Sequence, residues 1–305
     1  MKDIQADVCV IGAGSGGLSV ASGAAQLGAR TVLVEGGDMG GDCLNTGCVP
    51  SKALLHVAKT AQTVRRAERY GITTSAPEID YARAMGHVRD AITAIEPHDS
   101  QERFEGLGVT VIRAFGQFLD AHTIEAGEHR IRAKFFVIAT GSHALIPPVP
   151  GLDQTPFLTN ESLFTNTQAP DHLAIMGGGP IGAEMAQAHR RLGCNVTLIE
   201  MAPSIMGKDD PDLVDVVRRQ LLAEGVDVRE NTRATAVSGT AGAIKIDLST
   251  PTGAETISAS HLLVATGRKP AIERLNLDAA GIAHTPQAIT VRPNMRTSVR
   301  HIFAI

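Results

Sequence analysis

The hydrophobic pattern of the chain changes period several times, and the changes mark its elements. Ala6–Ile11 alternates little, as a strand buried on both faces of a parallel sheet does. After a glycine-rich turn, Leu18–Leu27 reads as a helix rich in Ala, Ser and Gly, and Thr31–Val34 as a β-branched strand. Helical patterning covers about Ser51 to Tyr70 and again Asp80 to Leu107, with an interruption expected near Pro97. From Val109 the period becomes that of strands: through Leu119, at His122–Ala126, at Arg130–Ala133 and at Phe135–Ala139. Ile146–Gly151 is proline-dense and continues neither element, so it reads as a linker. The opening theme then returns. Leu173–Met176 predicts a strand, a helix runs to about Leu192, and Val196–Ile199 is strand again. An amphipathic helix at Asp212–Ala223 precedes strands at Val226–Arg229, Ile244–Leu248 and Leu262–Ala265. The last residues, HIFAI, read as a strand just begun. Strands alternating with helices in this way predict an α/β fold on parallel sheets.

The first turn carries G-x-G-x-x-G at Gly12, Gly14 and Gly17, between strand and helix, as dinucleotide-binding units do. The three glycines serve a tight turn, close approach to a pyrophosphate, and close packing of helix on strand. The helix N-terminus offers its N–H groups to the phosphates. Glu35 lies 23 positions after Gly12, where it can accept hydrogen bonds from ribose hydroxyls. Gly177, Gly179 and Gly182 repeat the motif, and Glu200 again follows 23 positions on. Matched spacing in two copies predicts two Rossmann-like dinucleotide-binding domains. Glu200 suits a free ribose 2′-OH and repels a 2′-phosphate, and Met201, Ala202 and Pro203 offer no arginine to receive one. NAD is therefore favoured over NADP. Two strands also deliver the same Ala-Thr-Gly turn, at Thr140–Gly141 and Thr266–Gly267, which sets amides and a small hydroxyl beside a ligand.

Between the two units lies GGDCLNTGCVPSKA, Gly40–Ala53, with Cys43 and Cys48 separated by four residues. Pro50 suits the first turn of a helix, because its missing N–H has no partner there. Cys48 thus falls near a helix N-terminus, where partial positive charge favours the thiolate, and Lys52 adds a cation on the same face. In a straight helix the two Cα atoms would be roughly 7.5 Å apart along the axis, beyond the about 4.4–6.8 Å that a disulfide wants. The helix must be distorted if a bridge forms, and Gly47 gives room for that. The pair reads as redox-active. A purely structural disulfide fits an unexported chain poorly, and a zinc site would need two more soft ligands. Cys9 and Cys194 read as small buried hydrophobes, His87 and His98 as surface residues, and no metal site is expected.

With 305 residues, two domains are the natural prior. The division expected is 1–146 and 147–270, with 271–305 returning into the first. Hydrophobic residues make up 43% and charged residues 20%, which excludes disorder. A net charge of −4 gives no polycationic footprint for nucleic acid. Val8–Ala29 has no charged residue, but its glycines and serines suit the dinucleotide turn and not a membrane span or signal peptide. A cytoplasmic location is expected.

Two dinucleotide units separated by C-x4-C-x3-K, with GGDCLNTGCVPSK, GGGPIGAE and both Ala-Thr-Gly turns, resemble the flavoprotein disulfide reductases. This is the pyridine nucleotide-disulfide oxidoreductase family, and the likeness is greatest to its dihydrolipoamide dehydrogenase and mercuric reductase branch. The resemblance implies a three-layer β/β/α architecture in both domains, with FAD at the first unit and NAD(P)H at the second. It implies Cys48 as the flavin-facing thiol and Cys43 as the interchange thiol that meets a small or protein-bound disulfide, or its dithiol. It sets Lys52 near the flavin paired with Glu184, although the two read equally well from sequence as solvated charges. Gly116 would lie by the adenine, and Gly41 joins the FAD-binding set of Gly12, Gly14, Gly17, Glu35, Lys52, Thr140 and Gly141. Gly177, Gly179, Gly182, Glu200 and Gly267 would serve the second nucleotide. Two departures stand out. Pro180 occupies a position where the family often carries a flavin-shielding ring. The family's flavin-binding Gly-Asp and its interface domain, with a His–Glu base and most homodimer contacts, are not found before Ile305. The chain therefore resembles the first two-thirds of such an enzyme, with impaired turnover expected. The competing readings are an inactive nucleotide-binding fragment, a metal reductase, or a flavin diaphorase with idle cysteines.

Overall fold

The computed structural model describes Met1–Ile305. In chain order, β1 (Lys2–Ile11), α1 (Ser15–Gln26) and β2 (Thr31–Val34) come first. The short α2 (Gly41–Asn45), α3 (Cys48–Arg65), α4 (Tyr81–Asp99) and α5 (Gln101–Gly106) follow. Strands β3 (Thr110–Ile112), β4 (Gly116–Asp120), β5 (Thr123–Ala126), β6 (His129–Ile138) and β7 (Ser142–Ala144) come next, then α6 (Asn160–Leu163). The second theme is β8 (His172–Met176), α7 (Pro180–Arg191), β9 (Asn195–Ile199), α8 (Pro211–Ala223) and β10 (Asp227–Arg229). It continues with β11 (Arg233–Thr240), β12 (Ala243–Thr250), β13 (Gly253–Ala259) and β14 (His261–Val264). The chain ends with β15 (Arg268–Pro270), β16 (His284–Thr285), β17 (Ala288–Ile289) and β18 (Ile302–Ala304). No helix is long and apolar enough to cross a membrane.

The chain forms two compact units, both discontinuous. The first comprises Met1–Cys48, Ile92–His143 and Arg268–Ile305; the second comprises Val49–Ala91 and Ala144–Gly267.

In the first unit the strand order is β3-β2-β1-β6-β5-β4, with β18 also on β6. Strands β3, β2, β1, β6 and β18 run parallel, whereas β4, β5 and the start of β6 form an antiparallel meander. β6 serves both. Its first four residues pair with β5, and Phe136–Ile138 pair with Ile302–Ala304 of β18. The terminal HIFAI run is thus a strand. The two strands expected at Arg130–Ala133 and Phe135–Ala139 are one, because Lys134 does not break the ladder. It points outward and pairs with Asp7 at 2.8 Å. Asp7 also takes a fork from Arg30, whose hydrogen bonds, ahead of that from Lys134, hold its carboxyl well below the usual range. One core lies between the parallel strands and the meander, where Phe118 meets Phe136 edge to face at 5.4 Å. The other lies under α1 and α5, around Leu18, Leu33 and Phe104.

α4 runs through Pro97 to Asp99, and the break comes at Ser100, whose hydroxyl caps α5 by accepting from the Arg103 N–H at 3.3 Å. Pro97 lies in an exposed final turn, where the carbonyl it leaves without a donor can turn to water. His87 and His98 are exposed, whereas Cys9 and Cys194 are buried, as their settings in the sequence suggest.

The second unit repeats the plan. Parallel strands in the order β10-β9-β8-β14 stand beside the antiparallel meander β11-β12-β13. The helical side of the sheet is packed by α7 and α8 together with Leu54 and Ala58 of α3 and Tyr81, Met85 and Val88 of α4. Helices α3, α7 and α8 are tied by Glu224, whose side chain is 3% exposed. It accepts from Arg191 at 2.8 Å, from Gln220 at 2.5 Å and from Arg66 at 3.2 Å. Burial opposes its ionisation, but the hydrogen bonds from Arg191 and Gln220 outweigh burial and hold the carboxyl below its usual range.

His189 of α7 is fully buried, with Nδ1 2.8 Å from the Met185 carbonyl and Nε2 3.1 Å from the Tyr81 hydroxyl. A carbonyl only accepts, so Nδ1 carries the hydrogen and Nε2 accepts from Tyr81. Burial pushes the imidazole down to about 4. The unfolded chain therefore takes up a proton near pH 6.5 that the folded chain refuses until about pH 4. His189 stability is complete above pH 6.5 and is lost as pH falls to 4, by about 3 kcal/mol. Chemical denaturation across this window should show that loss in the natural chain and a flatter profile in His189→Gln. An unchanged slope in the variant would assign the acid sensitivity to another group.

Candidate functional site

The first glycine turn is built by contacts that leave no room for side chains. Gly12 has φ +107°, and a Cβ there would fall 2.2 Å from the Ala139 carbonyl oxygen. A Cβ on Gly17 would fall 1.8 Å from the Gly12 carbonyl oxygen. α1 is thereby drawn hard onto the end of β1, beside Thr140 and Gly141. Gly14 occupies the N-cap in extended conformation, with no side chain capping the helix. A Cβ on it would meet nothing nearer than the Gly41 Cα, at 4.0 Å. Glu35 binds the turn directly: Oε2 accepts from the Ala13 N–H at 2.5 Å and Oε1 from the Gly37 N–H at 2.6 Å. Gly116, at the start of β4, lines a cleft of about 490 Å³ together with Phe115, Gln117, Glu125, Arg274 and Asn276.

The second turn reproduces this geometry. Gly177 has φ +106°, and its Cβ would fall 2.3 Å from the Ala265 carbonyl oxygen; that of Gly182 would fall 1.9 Å from the Gly177 carbonyl oxygen. Gly179 faces open space and caps α7 without a side-chain bond, and Pro180 opens the helix. Glu200 accepts from the Gly178 N–H at 2.7 Å and from the Ala202 N–H at 2.8 Å. Gly267 has φ +134°, and the hydroxyl of the preceding Thr266 donates to the Leu145 carbonyl at 2.8 Å. Thr266 is thus spent on the segment that follows β7. The alanines of the two Ala-Thr-Gly runs carry the shared structural role, since each provides the carbonyl that the first glycine packs against.

The cysteine stretch docks on the first turn. The Gly40 N–H donates to the Ala13 carbonyl at 3.0 Å, and Gly40 bridges to Gly14. Gly41 has φ +57°, and a Cβ on it would fall 2.7 Å from the Gly14 Cα. Cys43 lies in α2 and is partly buried; Cys48 begins α3 and is exposed. The helix distortion expected between them is a full break at Thr46–Gly47. A side chain at Gly47 would clash with the Asp42 carbonyl oxygen at 2.8 Å. The break lets the Cys43 thiol hydrogen-bond to that of Cys48. Burial pushes the Cys43 thiol up to about 11; the contact with Cys48 and then the Asp42 charge add to this, and the hydrogen bond from the Cys48 backbone opposes it.

Lys52 and Glu184, which the sequence left open between solvated charges and a pair, are joined. Lys52 Nζ donates to both carboxylate oxygens, at 2.7 and 2.8 Å, from a side chain that is 62% exposed. Sequence reasoning passed over Asp42 and Arg268. Their signals were available: an acid directly before the first cysteine, a threonine four positions on, and an arginine directly after the second Ala-Thr-Gly.

Residues 6–305 match the family described as pyridine nucleotide-disulphide oxidoreductase. A mercuric reductase of Shigella flexneri is 34% identical over 306 residues, spanning 97% of this chain and 54% of the relative. A dihydrolipoyl dehydrogenase of Thermus scotoductus is 35% identical over 309 residues, spanning 98% of this chain and 65% of the relative. Among solved structures, the HOCl-induced flavoprotein disulfide reductase RclA of Escherichia coli superposes with a TM-score of 0.85 at 27% identity, over 98% of this chain and 65% of that one. The chain spans about half to two-thirds of the length of these relatives. With the two matched glycine turns and the paired thiols, these likenesses define it: the chain belongs to the pyridine nucleotide-disulphide oxidoreductase family.

Proposed function

We propose that the protein passes electrons between NAD(H) and a disulfide or dithiol substrate through Cys43 and Cys48, in the manner of a dihydrolipoyl dehydrogenase. The carrying observation is the Cys43–Cys48 thiol contact at the α2–α3 break, on a segment docked against the first dinucleotide turn. The family works with FAD and a pyridine nucleotide, and both turns fit a dinucleotide. Each has an uncapped helix N-terminus and a middle glycine over which no side chain closes. In this reading Gly12, Gly14, Gly17, Glu35, Gly41, Gly116, Thr140, Gly141 and Lys52 hold FAD. Gly177, Gly179, Gly182, Glu200 and Gly267 hold the nicotinamide nucleotide. FAD, when bound, supplies two-electron exchange between the nicotinamide and the sulfur pair.

The sulfur steps follow from thiol chemistry. The Cys43 thiolate attacks a substrate disulfide, forming a mixed disulfide and releasing one substrate thiolate, which takes up a proton. Cys48 then attacks the Cys43 sulfur, releasing the second substrate thiolate and closing the Cys43–Cys48 disulfide. Two electrons from NADH restore the dithiol, and the reverse direction oxidises a dithiol at the expense of NAD. A reducing compartment such as the cytoplasm, and the homodimer that the resemblance implies, belong to the same proposal. A second reading takes mercuric ion as the substrate. It is supported by the named mercuric reductases and by the affinity of a dithiol for soft metal ions. The two separate on whether lipoamide or mercuric ion stimulates NADH oxidation.

Cys43→Ser, assayed with FAD supplied, should lose NADH-dependent disulfide reduction by at least about 100-fold. Its NADH oxidation by an artificial dye should stay within about twofold, because the dye needs no exchange thiol. Undiminished disulfide turnover would overturn the assignment.

The nucleotide preference is tested at Glu200. NADH should be preferred to NADPH by kcat/KM, and Glu200→Gln should shift the ratio towards NADPH by about tenfold, equivalent to roughly 1.4 kcal/mol. A ratio unmoved by the substitution would remove Glu200 from the choice.

A further inference from the structure

Around the first cysteine, one carboxylate spans the break that brings the two thiols together. Asp42 lies in the first turn of α2, directly before Cys43. Its Oδ1 accepts from the Thr46 hydroxyl at 2.8 Å and stands 3.2 Å from Arg268 Nη2. A Cβ at Gly47 would fall 2.9 Å from its Oδ2, so the carboxylate fills the notch between the two short helical segments. Arg268 is itself fixed: Nε donates to the Ser142 hydroxyl at 2.8 Å and Nη2 to the Ser142 carbonyl. The Asp42 side chain is 42% exposed and that of Arg268 25%.

Resting on the proposed role of Cys43 as the exchange thiol, we propose that Asp42 is its positioning residue. Clamped by Thr46 and Arg268, Asp42 fixes the break between the thiols and sets the negative field in which Cys43 must ionise, with Arg268 as the counter-charge. The electrostatics follow directly. Ionising Cys43 places a second negative charge beside Asp42, which disfavours the thiolate. Arg268 opposes that field directly with its own positive charge, and its ion pair with Asp42 holds it there. The direction agrees with the contribution of Asp42 to the upward shift of the Cys43 thiol. Added to burial, the largest cause, it keeps Cys43 resting as a thiol, shielded from adventitious oxidation, until a proton acceptor is presented.

The test reads alkylation by iodoacetamide at each cysteine separately, by peptide mass spectrometry, on the full chain reduced with dithiothreitol. Asp42→Asn, close to isosteric, should speed alkylation of Cys43 at neutral pH by about twofold to fivefold, the range for a partly exposed charge contact. Arg268→Gln should slow it by a similar factor. In the double variant the two opposed effects should largely cancel, returning alkylation of Cys43 to near the rate of the natural chain. Both single-variant effects should shrink in 1 M salt, which a purely structural change would not do. Equal rates at Cys43 in the natural chain and Asp42→Asn would overturn the proposal. So would an Arg268→Gln variant whose Cys43 is alkylated as fast as that of the natural chain. Neither result bears on whether Cys43 and Cys48 are the redox pair, which the Cys43→Ser turnover assay decides separately.

Discussion

The structure depends on backbone meeting backbone where no Cβ intervenes. Gly17 rests on the Gly12 carbonyl and Gly12 on that of Ala139, at separations that would put a methyl group about 2 Å from an oxygen; Gly182, Gly177 and Ala265 repeat the arrangement. Each such glycine costs about 0.5–1 kcal/mol of chain entropy relative to alanine. A forced clash would cost far more, so the positions tolerate nothing else. The same constraint reaches the thiols. Gly41 approaches Gly14 so closely that a side chain on Gly41 would push the cysteine segment away from the turn. The first glycine turn and the cysteine pair are therefore positioned by one set of missing atoms.

The two acids that close β2 and β9 show how a residue proposed to read a ligand is also a structural one. Glu35 and Glu200 each accept one N–H from the residue after the first glycine and one from the loop two residues further along. A carboxylate has about four acceptor sites, so two such bonds leave capacity for a ribose hydroxyl while fixing where that hydroxyl must lie. The spacing of 23 between glycine and acid is thus set by turn closure as well as by ligand length. That is why it recurs unchanged in two units whose ligands differ in the proposed function.

Features written in local spacing were legible from the sequence. Both glycine turns, both acids, the cysteine pair and the need for a helix break at Gly47 all depend on neighbours within a few dozen residues. Features decided by tertiary partners were not. Lys134 continues β6 because it points outward into solvent, where it pairs with Asp7, far away in sequence. Pro97 leaves α4 whole because its turn is exposed. The association of α3 and the start of α4 with the core under β8 and β9 is invisible in any local pattern, since Leu54 and Met85 would serve equally well against either sheet. Asp42 and Arg268 lie 226 positions apart and meet only in the fold. Each has a sequence signal in hindsight, but neither signal names the other residue.

The high-lying Cys43 thiol is the least expected feature of a site proposed for exchange, and its rate consequence can be bounded. A rise from 9.0 to about 11 lowers the thiolate fraction at neutral pH by about 100-fold. The thiolate that does form is the stronger nucleophile. With a Brønsted coefficient of about 0.4–0.5, those two units return roughly eightfold. The net deficit is on the order of tenfold. General-base removal of a proton from a positioned donor contributes about 10²–10⁴-fold, so such a base more than offsets the deficit and also makes attack conditional on its own presence. In the proposed exchange, burial and, to a smaller extent, the Asp42 charge thereby make the reactivity of Cys43 conditional on a partner group that takes its proton. Cys48, exposed at the start of α3 and within hydrogen-bond contact, waits to close the bridge.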